Sequence, residues 1–214
     1  YGVGVASTIG NGRVTRIDAG AAEKMPGVLA VLYHGNSEPL YRPGGPFEAE
    51  SRAGESRPPF EDDTVYYYGQ FVALVVANTF EQANAAAALV KVEYATEKPS
   101  VLLEEEDRQA GDPKQHYQRG NAEEAFAGAP VKVDAVYETP TETHNPMEMH
   151  ATIAEWNGDR LRLYETTQGV VNHRNVMSEM LGVPLDRIEV ISPFCGPGFG
   201  GKLFPWPQSM LSAM

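Results

Sequence analysis

Gly196-Pro197-Gly198-Phe199-Gly200-Gly201-Lys202 sets four glycines in six residues directly after the strand-like segment Arg187–Phe194. A backbone without Cβ atoms, free to take positive φ, brings its N–H groups within hydrogen-bonding reach of a ligand. Donors of that kind suit an anionic, phosphate-bearing group. Two nucleotide motifs nearly fit. The spacing Gly196-x4-Gly201-Lys202 is that of a Walker A loop, but Leu203 follows where magnesium needs a hydroxyl. The spacing Gly196-x-Gly198-x2-Gly201 is that of a dinucleotide loop, whose last glycine opens a long helix. Pro205 and Pro207 discourage one here. A mobile turn leaving a strand is the remaining reading of the same residues.

Other reactive side chains carry less. His144, Glu148 and His150 have even spacing, which puts them on one face of an extended strand, while Pro146 bars the helical pairing of an HExxH zinc site. No metal ligand set is assigned. Cys195 borders the glycine run and reads as a small residue packed beside a tight turn rather than a nucleophile. His173, on the apolar face of a predicted helix, reads as a satisfied packing histidine. Gln168 taken alone is an exposed glutamine at a strand end.

Composition narrows the partners. A formal charge of −12 and a pI near 4.8 oppose binding to a phosphate backbone or an anionic membrane surface. No apolar run approaches the roughly 20 residues of a membrane span. The single cysteine excludes an internal disulfide and a cysteine-ligated cluster within the 214 residues. The chain opens on Tyr1 and stops soon after its richest motif, which reads as a piece excised from a longer polypeptide.

The elements that must position these residues fall into two blocks, 1–95 and 131–214, with 96–130 between them as a solvated linker marked by the charge run Glu104–Asp107. In the first block, Arg13–Ile17 alternates as a half-buried strand, Asp18 caps a short helix ended by Pro26-Gly27, and Val28–Leu32 resumes as a buried strand. Residues 35–63 are an aperiodic excursion. Phe71–Ala77 is apolar throughout and predicts a strand buried on both faces. Thr79-Phe80-Glu81-Gln82 predicts a capping box opening an alanine-rich helix to about Val90, with Phe80, Ala83, Ala87 and Val90 on one stripe. Lys91–Tyr94 returns as a strand. In the second block, strands are expected at 131–138, 150–156 and 160–166, the last two joined by a turn at Asn157-Gly158-Asp159. A helix from Val170 places His173, Val176, Met177, Met180 and Leu181 on one face, and Gly182 with Pro184 stops it. Met177 and Met180 then need cover that these few elements are not expected to supply.

Taken together, these pieces resemble the molybdenum-binding large subunit of the xanthine dehydrogenase and aldehyde oxidoreductase family. Tyr68–Ala77, the following helix and Val90–Tyr94 look like its α/β hammerhead domain. Gly120–Phe126, Val136–Pro140, His144–His150, Thr166-Thr167-Gln168, Leu181–Pro184 and Gly198–Lys202 continue the likeness in the family's order. Met149 stands where members often carry proline. The resemblance implies an α+β fold: a hammerhead domain at 1–95, then the beginning of a mixed α/β molybdopterin-binding domain at 131–214. It implies that Gln168, Gly198, Phe199 and Gly200 contact a molybdenum–pterin cofactor, either molybdopterin itself or its cytosine dinucleotide form. Gln168 would donate its amide to an oxygen ligand of the metal, and Phe199-Gly200 would face the pterin.

The same resemblance implies a bacterial enzyme that hydroxylates an aldehyde or aromatic heterocycle with water as oxygen source. Electrons would leave to iron–sulfur and FAD subunits or domains. Leu203, where purine hydroxylases carry an acidic residue after Gly-Gly-Lys, favours an aldehyde. The family's general-base glutamate lies downstream of Met214, so no catalytic residue is expected within this chain, and the isolated piece is expected to be inactive and without cofactor. The compartment, bacterial cytoplasm or periplasm, stays open. The rival reading is a non-catalytic binding or subunit-assembly module.

Overall fold

The computed structural model describes residues 1–44, 46, 53–99, 101, 117 and 119–214. The run Glu104–Asp107 lies outside these, as does part of the 35–63 excursion. Tyr1–Pro99 and His144–Met214 form one compact unit and Ser100–Thr143 a second.

Among the described residues the first unit holds three three-stranded sheets. In the first, β5 (Phe71–Ala77) lies between β1 (Gly2–Ala6) and β3 (Val28–Tyr33), antiparallel to both. Being central, β5 buries Val72, Ala73, Leu74, Val75 and Ala77, as its unbroken apolar run predicts. β3 is only half covered, with Leu29 exposed. In the second sheet β2 (Gly12–Asp18) lies between β4 (Thr64–Val65) and β6 (Lys91–Thr96). Helices α1 (Gly20–Glu23) and α2 (Phe80–Ala87) close the apolar cluster of Ala22, Val31, Val75 and Ala86. Asp18 Oδ1 accepts the Gly20 N–H at 3.2 Å.

The capping box of α2 is present in both directions. Thr79 Oγ1 accepts the Gln82 N–H and Gln82 Oε1 accepts the Thr79 N–H, each at 3.2 Å. Thr79→Ala is expected to cost about 1 kcal/mol in urea unfolding. The buried stripe of α2 is Ala83 with Ala86, whereas Phe80 is exposed. A bulky first-turn ring does not fit where alanines let the helix lie close to the sheet.

In the second unit, α3 (Ala122–Gly128) is capped by the Asn121 side chain, which accepts the Glu124 N–H. The strand expected at 131–138 is not formed. Val131, Val133, Val136 and Tyr137 are exposed and irregular, because alternation makes a strand only where an edge and a cover exist.

The third sheet of the first unit carries the site. β7 (Thr152–Asn157) and β8 (Arg160–Glu165) form a hairpin through Gly158, whose φ is +64°. α4 (Val170–Leu181) crosses over, and β9 (Ile188–Ile191) returns parallel to β8 after one 3₁₀ turn at Leu185–Arg187. Gly182 ends α4 in the left-handed region at φ +65°. α5 (Pro207–Ala213) starts with a proline in its first turn, where the missing N–H costs nothing. Pro207, an obstacle to a helix by sequence, therefore opens one. Leu161, Leu163, Val176, Met177, Met180, Ile188, Met210 and Ala213 form the core, so Met177 and Met180 are covered by the sheet and α5. No helix among the described residues is long and apolar enough to cross a membrane.

Candidate cofactor-binding site

Because β8 and β9 are parallel, their C-terminal ends lie at one edge of the sheet, and the segments leaving the two strands meet there. This is where α/β units bind ligands. After β8 come Thr166-Thr167-Gln168 and the start of α4. After β9 comes the glycine run. The two segments are laced by backbone: Gln168 N–H donates to the Lys202 carbonyl at 2.9 Å, and Thr167 Oγ1 donates to the same carbonyl at 3.1 Å.

The glycine run is a tight reversal. Gly201 N–H donates to the Gly198 carbonyl at 2.7 Å, with φ of +51° at Phe199 and +90° at Gly200 between them. Positive φ at both central positions is the pattern of a type I′ turn. Phenylalanine in that region is strained, at a cost of about 1–3 kcal/mol, and such strain concentrates at ligand sites. Neither the Phe199 nor the Gly200 N–H donates to backbone among the described residues. The Phe199 ring is exposed. Gly201 does not open a helix, the next one starting six residues on, which removes the dinucleotide-loop reading.

Gln168 has a defined orientation. The Lys202 N–H, 3.2 Å away, can only donate, so the atom facing it is the amide oxygen, Oε1. The amide NH2 is thereby turned away as a neutral donor, and Gln168 is exposed. Gly198 leaves room for this orientation, since a Cβ there would lie 2.4 Å from Gln168 Oε1 and push the side chain aside.

A charged layer braces this turn, and sequence reading alone does not find it. The Lys202 ammonium is buried against the Glu148 carboxylate, which also accepts the Gly196 N–H at 2.8 Å. Lys202 and the Gly196 amide hold the Glu148 carboxyl below the usual range. Trp206 Nε1 donates to the Gly201 carbonyl at 2.5 Å, and its ring lies 5.5 Å from that of His150. Burial, with Lys202 nearby, lowers the His150 pKa. A Cβ on Gly201 would approach His144 to 3.0 Å. His144, Glu148 and His150 thus all meet the segment 196–206, although no strand holds them. No spacing rule links Glu148 to Lys202, because 54 positions, including a hairpin, a helix and a returning strand, separate the pair.

Beneath it, the alternation that buries Leu161 and Leu163 also turns Glu165 inward. Thr152 Oγ1 and Ser209 Oγ donate to its Oε2 at 2.6 and 2.8 Å, while burial raises its pKa. His173 Nε2 lies 3.4 Å from the same oxygen, yet among the described residues neither ring nitrogen makes a hydrogen bond, and burial lowers the histidine pKa to about 4. His173 packs as expected but is not satisfied. Cys195 is exposed rather than packed.

Residues 1–98 match the a/b hammerhead domain of aldehyde oxidase and xanthine dehydrogenase, and residues 104–214 match the molybdopterin cofactor-binding domain. The chain belongs to the xanthine dehydrogenase and aldehyde oxidoreductase family. It is 39% identical to the aldehyde oxidoreductase molybdenum-binding subunit PaoC of Escherichia coli over 100% of the chain and 28% of that protein. It is 34% identical to the nicotine 6-hydroxylase large subunit of Paenarthrobacter nicotinovorans over 97% of the chain and 27% of that subunit. The fold matches the aldehyde oxidoreductase of Desulfovibrio gigas with a TM-score of 0.70 at 22% identity, over 99% of the chain and 25% of that structure. The chain therefore spans little more than a quarter of the length of these relatives.

Proposed function

We propose that these 214 residues are the hammerhead domain and the opening of the cofactor domain of a molybdenum hydroxylase subunit. The parent reaction oxidises an aldehyde to a carboxylic acid, taking oxygen from water and passing two electrons to iron–sulfur and FAD subunits or domains. We place the boundaries at 1–95, 96–130 and 131–214.

The observation that carries this reading is the fixed orientation of Gln168, whose Oε1 is engaged by the Lys202 N–H and whose NH2 is free to donate outward. Beside it stand a glycine at which a Cβ would displace the amide and a strained turn with two N–H groups that have no backbone partner among the described residues. Three neutral donors on two adjoining segments fit an oxygen-rich, anionic cofactor without adding charge to its surroundings. Gln168, Gly198, Phe199 and Gly200 would hold the molybdenum–pterin group, which when bound supplies the two-electron redox chemistry. Leu203 and the name of the PaoC relative favour an aldehyde.

Gln168→Ala in the molybdenum-loaded subunit is expected to lower aldehyde turnover about tenfold, with an unchanged circular dichroism spectrum. Wild-type turnover in that variant would return Gln168 to the role of a surface glutamine. A subunit that turns over purines faster than aldehydes would overturn the substrate reading.

A further inference from the structure

We propose that Glu148 is a positioning residue, acting through Lys202 to hold the glycine turn and Gln168 in register. One oxygen of Glu148, Oε2, receives both the Gly196 N–H and the Lys202 ammonium. The two ends of the loop are therefore fastened to a single atom, and the reversal at Phe199-Gly200 lies inside the ring so closed. Lys202 passes this constraint on through its main chain. Its N–H fixes Gln168 Oε1 and its carbonyl accepts the Gln168 N–H and the Thr167 hydroxyl.

A lysine buried for stability alone needs none of this, since an apolar residue of similar volume does as well, and here its partner Glu148 stays partly exposed. The double attachment is what distinguishes a clasp from charge neutralisation. Glu148 is supplied by a segment without strand or helix, so little besides Lys202 and Gly196 holds its carboxylate in place. A Cβ on Gly196 would lie 3.1 Å from the Glu148 carboxylate, so that loop end and the carboxylate pack tightly.

Amide hydrogen exchange of the whole subunit prepared without metal tests the clasp, so this part does not depend on the molybdenum reading. In Glu148→Ala the amides of Lys202 and Gly201 are expected to exchange about tenfold faster or more, while those of β8 change less than about twofold. Lys202→Met with Glu148→Ala removes the orphaned charge and restores thermal stability, yet keeps the fast exchange at 201 and 202. Glu148→Gln, which retains an acceptor, falls between and serves if the alanine variant fails to fold. Wild-type protection at 201 and 202 in the double variant would overturn the proposal, leaving Glu148 only as a counter-charge. Equal acceleration in β8 and the loop would overturn it too.

A second arm rests on the proposed function. In the molybdenum-loaded subunit, Glu148→Gln lowers kcat, by less than the loss expected for Gln168→Ala, with KM unchanged. Inactivity of the unaltered loaded subunit would count against the cofactor reading and leave the exchange result standing.

Discussion

On the proposed reading, Gly198→Ala is expected to lower aldehyde turnover of the molybdenum-loaded subunit by about tenfold while the chain stays folded. The added Cβ meets Gln168 Oε1 at 2.4 Å and Cδ at 2.6 Å, far inside contact distance. Gly198 has no positive φ, so alanine brings no backbone strain. What must give is the end of a flexible side chain, which swings away cheaply but breaks the bond from the Lys202 N–H and re-aims the amide NH2. Damage is thus confined to orientation. Kinetics and the Gln168 side-chain amide signal check it together: normal turnover with an undisturbed signal would contradict the geometry. Because both act on the same amide, Gly198→Ala with Gln168→Ala falls no further than the worse single variant.

The second large effect is on acid stability. His173 is almost fully buried, and its pKa falls from 6.5 to about 4 through loss of solvation. Between those values the unfolded chain binds a proton that the folded chain refuses. Stability therefore declines as pH falls from about 6.5 to about 4 and gains no further loss from this residue below that, a total of about 3 kcal/mol. His150, also lowered, acts in the same direction. Glu165, raised by burial, opposes both just above 4.5, where the folded chain keeps a proton the unfolded one has lost. Glu148, lowered by Lys202, adds loss only below 4.5. Urea unfolding across this range is expected to show the decline, and His173→Leu to flatten most of it without weakening the protein at neutral pH. The ring nitrogens make no hydrogen bond that leucine would forfeit. An undiminished slope in His173→Leu would show that another group carries the acid sensitivity.

How far the sequence discloses such a site depends on the range of the interaction. The capping box of α2, the left-handed stop at Gly182 and the apolar run of β5 are set by neighbours within a few residues, and all form. Gln168 and Gly198–Gly200 stand out through resemblance, with only the glycines visible to chemistry alone. The irregular course of 131–143 is not legible, since alternation reports a capacity to pair and not the presence of a partner. Spacing puts Phe80 on the wrong side of α2 because a stripe drawn that way ignores how closely alanines seat a helix. The Glu148–Lys202 pair is a product of tertiary folding, 54 positions apart, and the Trp206 contact with Gly201, though only five residues long, is set by the tight reversal and not by any helix or strand period.

The inward row Leu161, Leu163, Glu165 has a consequence for how this segment can evolve. A strand turns its side chains over at every step, so one residue inserted between Leu163 and Glu165 would send Glu165 out and bring a neighbour in. The same insertion would displace Gln168 from the Lys202 amide. Sequence length here is locked at both ends, by the core on one side and by the amide partner on the other. Insertions and deletions in descendants of this chain should gather in the hairpin at Gly158, where the turn faces solvent, and spare the stretch from β8 to α4.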